Sequence, residues 1–303
     1  MASIPQRAGS VTQRERREWL LFALLLAPNL LLFGVFTYWP LLYNAYLSVV
    51  RWDFLRPTKP FVGLANYASV FTDRQFWAIV LNTATFTVCS VGLTLLLGLA
   101  LALLINQPLR YRNAARAVLF SPVVMSGAVV AVVWSYIFDP RYGLLDQLLG
   151  FVGLNSPDWL NDPRWAMLAV IIVYVWKNLG YAVVIYLAGL QGIPRELYDA
   201  ARVDGAGPWA RLRHVTLPGL SPVAFFLSVT SLLATFQSFD IIKVLTDGGP
   251  AGATTTLIFH LYELGFVAYN AGEAGVVAVV LFGIMLVLTL IQLRYLERRV
   301  SYG

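Results

Sequence analysis

Apolar residues occupy this chain in long runs, each closed by a short polar or turn-forming stretch. A helix needs about 20 mostly apolar residues to cross the hydrocarbon core of a bilayer. Six runs meet that length: residues 19–39, 77–105, 117–138, 166–190, 220–245 and 274–293, the first continuing with apolar sequence past Pro40 towards Val50. Asn106-Gln107-Pro108, Asp139-Pro140-Arg141 and Asp247-Gly248-Gly249-Pro250 are among the segments that end them. The pattern predicts an all-α polytopic membrane protein with six transmembrane helices. The first helix is expected to bend near Pro28, whose ring removes a backbone hydrogen bond. Its apolar run exceeds the usual length of a signal-peptide core and no small-x-small site closes it, so it reads as an uncleaved span.

Composition agrees. Of 303 residues, 58% are hydrophobic and 13% charged, about half the charge density of a soluble domain. The net charge of +6 is a matter of placement. Fourteen basic residues fall in the N-terminal tail (Arg7, Arg14, Arg16, Arg17), after run two (Arg110, Arg112, Arg116), after run four (Arg195, Arg202, Arg211, Arg213) and at the C-terminus (Arg294, Arg298, Arg299). The alternate loops hold only Arg51, Arg56, Lys59, Arg74, Arg141 and Arg164. Short basic loops stay in the cytoplasm, so both termini are expected inside, in a plasma membrane. The basic balance is a topology signal and gives no reason to expect nucleic acid.

No catalytic constellation is visible. One cysteine, Cys89, excludes a disulfide or a cysteine metal site, and His214 and His260 are too few and too far apart for a metal centre. There is no G-x-x-x-x-G-K-[ST], H-E-x-x-H or G-x-S-x-G. The chain is therefore expected to be no enzyme and to bind no cofactor or metal itself.

The most informative segment is the loop 191–219. Gly192-Ile193-Pro194-Arg195-Glu196 opens a short helix, with a carboxylate in its first turn where the helix dipole favours it. Asp199-Ala200-Ala201 follow, Gly205 and Gly207 end the helix, and Pro208 opens another segment. From the pattern alone this is a solvated amphipathic loop. The spacing, however, resembles the E-A-A…G…I-x-L-P signature of binding-protein-dependent ABC importer permeases, with Asp199 in place of Glu and Val215 in place of Ile before Leu217-Pro218. In that family the loop forms a coupling helix that docks on the ATPase. The resemblance implies a docking surface of Glu196, Asp199, Ala200, Ala201, Asp204, Gly205 and Gly207, with Asp199 pairing to a basic residue of the ATPase.

Further segments extend the likeness over nearly the whole chain. Phe61-Val62-Gly63-Leu64-Ala65-Asn66-Tyr67 is similar to a motif of sugar-type permeases. Thr246-Asp247-Gly248-Gly249-Pro250 with Thr254-Thr255-Thr256-Leu257 resembles the external loop that meets the binding protein. Phe138-Asp139-Pro140-Arg141, Ala206-Gly207-Pro208 and Gln292-Leu293-Arg294-Tyr295-Leu296-Glu297 resemble one branch, the first permease subunit of importers for sn-glycerol-3-phosphate and glycerophosphodiesters. The layout implied is a cytoplasmic tail (1–18), a first helix with its external loop (19–76), a permease core with five helices and the coupling loop (77–293), and a second tail (294–303). The partners implied are a second homologous permease, two ATPase subunits carrying ATP and magnesium, an extracytoplasmic binding protein and membrane lipids. The alternative cargo is a neutral sugar or oligosaccharide. A secondary transporter or channel would show inverted repeats with matched broken helices, and none is found.

Polar groups inside spans usually face a pore or another helix. Run four carries Tyr174, Trp176, Lys177, Asn178 and Tyr181, and run five carries Thr235, Gln237, Ser238, Asp240 and Lys243. By resemblance, Tyr174, Asn178, Tyr181, Thr235 and Ser238 match positions that line the substrate cavity of related sugar permeases. Lys177 is too deep to snorkel and would offset the charge of an anionic cargo. Two bland readings stay open: Asp240 and Lys243, three apart, form an ordinary helix-surface pair, or Lys177 pairs with Asp240 and ties two helices together.

Overall fold

A computed structural model describes residues 13–107 and 110–296. Arg7, Pro108, Glu297, Arg298 and Arg299 lie outside the described residues, so the tail arguments that use them are not addressed by it. The described residues form helices joined by loops, with one isolated bridge between Val50 and Phe61 and no strand among them. Four helical stretches are long and apolar enough to cross a membrane, Arg17–Leu47, Arg74–Ile105, Pro163–Gly192 and Ala271–Arg294. Two bent pairs bring the number to six if each is one span.

The first span comprises α1 (Gln13–Phe33) and α2 (Trp39–Leu47), joined by a wide π turn over Gly34–Tyr38. The α-helix runs through Pro28, and the loosened turn comes one turn before Pro40, whose missing N–H leaves a carbonyl without its usual donor. After α3 (Ala65–Thr72), α4 (Arg74–Ile105) forms the second span, capped by the Asp73 carboxylate on the Gln75 N–H.

The third span is broken where a continuous helix was expected. α5 (Arg112–Phe120) passes through a 3₁₀ turn at Ser121–Val124, and α6 (Gly127–Ile137) leaves at 105°. Pro122 removes one helical donor, and Ser126 caps the new helix by accepting from Val129 N–H. α7 (Leu144–Phe151) lies in the following loop. α8 (Pro163–Gly192), the fourth span, starts on the Asp162 carboxyl, which the Arg164 guanidinium and N–H hold below the usual carboxylate range.

Beyond it come α9 (Arg195–Val203), α10 (Pro208–Arg211), a π turn at Leu212–Thr216 and α11 (Leu217–Gly219). α12 (Ser221–Phe236) is bent by 62° from the α10–α11 segment. It stops at Phe236 instead of continuing to 245, and α13 (Asp240–Leu245) is a separate helix. The unforeseen elements include α3, α7, α13 and the short apolar helix of α14 (Leu257–Tyr262) with its π turn Glu263–Val267. α15 (Ala271–Ile291) is the last span.

Small residues set the closest crossings, as expected between helices in lipid. A Cβ on Gly98 of α4 would lie 2.7 Å from the Ala182 Cβ of α8. One on Gly180 of α8 would run into the Leu119 carbonyl of α5 and 2.8 Å from the Phe120 Cα. These crossings hold α4, α5, α8 and α12 around one apolar cluster that includes Ala102, Ala182, Tyr186, Leu190, Leu220 and Leu227. A second cluster joins α6, α8, α13 and α14 through Val130, Val173, Ile241 and Phe259.

Candidate functional site

Two regions collect the residues singled out by sequence. The first is α9, a two-and-a-half-turn helix set between two spans. Pro194 precedes it with φ −57°, Glu196 lies in its first turn and Arg202 in its last. Gly205 ends it at φ +75°, a left-handed conformation suited to glycine. Glu196, Asp199, Ala200, Asp204, Gly205 and Gly207 are exposed and Ala201 is half-buried. Leu197, Val203 and Trp209 also stand in the open, at 51%, 89% and 71% exposure, which is a high apolar content for a face that meets only water. The helix is fastened from behind: the Tyr198 hydroxyl is 3.0 Å from Thr216 Oγ1, and Tyr198 packs on the cluster between α4, α8 and α12. Asp199 accepts from Arg202 Nη1 at 2.7 Å, both side chains exposed. An apolar cavity of about 800 Å³ opens beside the helix, with Ile193, Glu196, Leu197, His214, Pro218 and Val223 in its wall.

The second region lies inside the bundle. Tyr174, Asn178 and Tyr181 share one stripe of α8 and line a cavity of about 50 Å³ with Thr94 of α4 and Thr230, Ser231 and Ala234 of α12. Tyr174 is buried with its ring edge-on to Phe86 at 5.2 Å, and Asn178 Nδ2 donates to the Tyr174 carbonyl at 2.8 Å. Lys177 is half-buried on the same stripe, outside the lining of the small cavity, and no carboxylate of the described residues pairs with it. Asp240 is therefore not its tie. Nor does Asp240 pair with Lys243, whose ammonium meets Asp247 Oδ1 at 2.6 Å across one helical turn. The Asp240 carboxylate instead lies against Gly127 at the start of α6, where any side chain on Gly127 would collide with it. Gln237 and Asp240 are exposed, while Thr235 and Ser238 are buried, at 1% and 7%. The run-five residues thus divide between two faces instead of forming one stripe, because the helix breaks between Phe236 and Asp240.

Sequence reasoning passed over the hydroxyls of α4. Thr83, Thr87, Ser90 and Thr94 recur at intervals of four, three and four, all buried. That spacing marks one helix face, and it was the available signal.

Comparison with known proteins now decides the family. The model for binding-protein-dependent transport system inner membrane components matches residues 94–302. The chain belongs to that family. The sn-glycerol-3-phosphate transport system permease protein UgpA of Yersinia pestis is 37% identical over 286 residues, covering 94% of this chain and 96% of the relative. The trehalose/maltose transport system permease protein MalF of Thermococcus litoralis is 37% identical over 281 residues, covering 92% and 94%. Among solved structures, a bacterial ABC transporter involved in the import of the acidic polysaccharide alginate superposes with a TM-score of 0.82 at 27% identity, over 94% of this chain and 98% of that one. The chain is thus an inner-membrane permease subunit of an ABC importer, without catalytic chemistry of its own; ATP hydrolysis belongs to a separate subunit.

Proposed function

We propose that this permease carries sn-glycerol-3-phosphate or glycerophosphodiesters inward by alternating access, as one half of a translocation path completed by a second homologous permease. Two ATPase subunits, with their ATP and magnesium, dock on α9 through Glu196, Asp199, Ala200, Ala201, Asp204, Gly205 and Gly207, and an external binding protein delivers the cargo. Both termini face the cytoplasm. Cargo passes the stripe Tyr174, Lys177, Asn178 and Tyr181 and the α12–α13 residues Thr235, Gln237, Ser238 and Asp240.

The observation that carries the anionic cargo is Lys177. A half-buried ammonium within a span, with no carboxylate of the described residues to balance it, is costly unless it meets an anion during the cycle. The phosphate of a glycerol ester is such an anion, and the likeness to the sn-glycerol-3-phosphate permeases supports it. A neutral disaccharide is the second reading, favoured by the equal identity to the trehalose/maltose permease and by the uncharged lining of the small cavity.

The two readings separate in the purified complex of permeases, ATPases and binding protein reconstituted in liposomes. ATPase activity is expected to rise with sn-glycerol-3-phosphate or glycerophosphocholine and to ignore maltose and trehalose. The reverse response overturns the anionic cargo in favour of the sugar.

A further inference from the structure

In a helix surrounded by lipid or protein, a serine or threonine hydroxyl ordinarily donates to a carbonyl one turn back. Several do so here. Thr83 donates to Ile79 at 2.8 Å, Ser228 to Phe225 at 2.7 Å, Thr230 to Phe226 at 2.9 Å and Thr235 to Leu232 at 2.7 Å. Three successive hydroxyls on the inner face of α4 do not: Thr87, Ser90 and Thr94 are at most 4% exposed, and their oxygens have no hydrogen-bond partner. A buried hydroxyl without a partner carries a penalty, and such groups are usually met by water or by a ligand.

Thr94 differs from the other two in what it faces. It forms part of the wall of the 50 Å³ cavity between α4, α8 and α12, and at 3% exposure it lies among that cavity's most buried residues. Two other donors of the wall are engaged, Thr230 giving its proton to Phe226 and Asn178 its amide to Tyr174, while the hydroxyl-bearing Tyr174, Tyr181 and Ser231 are less deeply buried than Thr94. Half-buried Asn178, Tyr181 and Ser231 stand towards the rim and Ala234 is exposed. The cavity is thus a small recess beside the stripe that bears Lys177. A void this size exceeds what one water needs yet is far below the roughly 300 Å³ at which sites for whole drug-sized ligands begin. It has room for a small polar group of the size of a hydroxymethyl.

We infer that Thr94 is a specificity-determining residue whose hydroxyl receives the terminal hydroxyl of a polyol cargo in the recess between α4, α8 and α12. This rests on the reading of Tyr174, Asn178 and Tyr181 as part of the cargo path and extends it to α4. Thr94 offers both a donor and an acceptor to an incoming hydroxyl, and the Tyr174 ring of the same lining is held edge-on by Phe86. A site built to bond a hydroxyl disfavours the analogue that lacks it, because its own polar group then stays buried and unpaired.

The test uses the full complex with its binding protein. Uptake of sn-glycerol-3-phosphate is compared with that of propane-1,2-diol phosphate, which lacks only the terminal hydroxyl. Because the same binding protein serves every variant, its own discrimination cancels when the preference is compared between permeases. Thr94→Val keeps the side-chain shape and removes the hydroxyl. It is expected to reduce the preference by about tenfold, the factor that 1.4 kcal/mol represents. Thr94→Ser keeps the hydroxyl and is expected to retain the preference, which also controls for any loss of assembly. An unchanged preference in Thr94→Val overturns the inference and leaves the recess a water site. If the complex answers only to a neutral sugar, the anionic cargo fails separately. The same comparison then runs between that sugar and its 6-deoxy analogue, with the same two outcomes for Thr94.

Discussion

Lys177 shares its stripe with Tyr174 and Tyr181, three and four residues away, and this places the cation beside the recess without making it part of the wall. With no carboxylate of the described residues attached to it, Lys177→Gln strands no partner charge among them. The substitution is expected to leave complex yield and thermal stability unchanged while lowering uptake of the anionic ester by about 10- to 100-fold, the worth of a hydrogen bond to a charged group. Loss of assembled complex in the variant, instead of loss of uptake, would show that Lys177 holds helices together. Residue by residue, the sequence was informative where spacing and chemistry coincide. Tyr174, Asn178 and Tyr181 repeat at four and three and do line one cavity. It was uninformative where the role depends on rotamer and neighbour. Thr94 looks like any threonine in an apolar helix, and only its missing hydrogen bonds distinguish it from Thr83, which donates to Ile79 and accepts from the Leu257 N–H. The pairing of Lys243 with Asp247 instead of Asp240 likewise depends on the helix starting at Asp240, with Asp240 turned towards α6.

At the scale of elements, α9 was legible because its start and stop use local chemistry: a proline, a first-turn glutamate and a left-handed glycine. The break in the third span had a cue in Pro122 and Ser126 that the length of the apolar run hid, and the break in the fifth span had none. Between Phe236 and Asp240 neither glycine nor proline is present, and the helix yields there to the packing of α13 on α6. The wide π turns at Gly34–Tyr38 and Leu212–Thr216 precede prolines at 40 and 218, a cue that only the local hydrogen-bond pattern makes specific. The construction of α9 gives a test of coupling. Gly205→Pro forces φ from +75° to about −65° and redirects the chain leaving the helix. Asp199→Lys reverses a charge on the exposed face and sets it against Arg202. Neither position is in a span or a packed core, so membrane insertion is expected to be normal. Cargo-stimulated ATPase activity is expected to fall at least tenfold in each, with each variant still captured in the membrane. Normal stimulated activity in both would remove α9 as the ATPase contact.

Across the whole molecule, the arrangement of charge and apolar surface gives an orientation that the fold itself does not supply. The α1–α2 span has none of its most apolar stretch buried within the chain, so lipid or another subunit must cover it. With each bent pair counted as one crossing, α9 and the start of α5 share one side, and α3, α7 and the 247–256 loop share the other. The basic residues Arg110, Arg112, Arg116, Arg195, Arg202, Arg211 and Arg213 gather on the α9 side. That asymmetry supports the proposed cytoplasmic placement of α9, where ATP would be available to a docked ATPase. A cysteine at each of two exposed positions tests it, after the native Cys89 has been replaced. One is Asn155, close to Asp158 in the loop before α8, and the other is Asn113, beside Arg112 at the start of α5. In intact cells a membrane-impermeant thiol reagent is expected to label position 155 and not 113, and permeabilised cells are expected to label both. Labelling of 113 in intact cells with 155 protected would invert the molecule. It would also put α9 outside the cell, where no ATPase could use it, so the coupling assignment would fall with the topology.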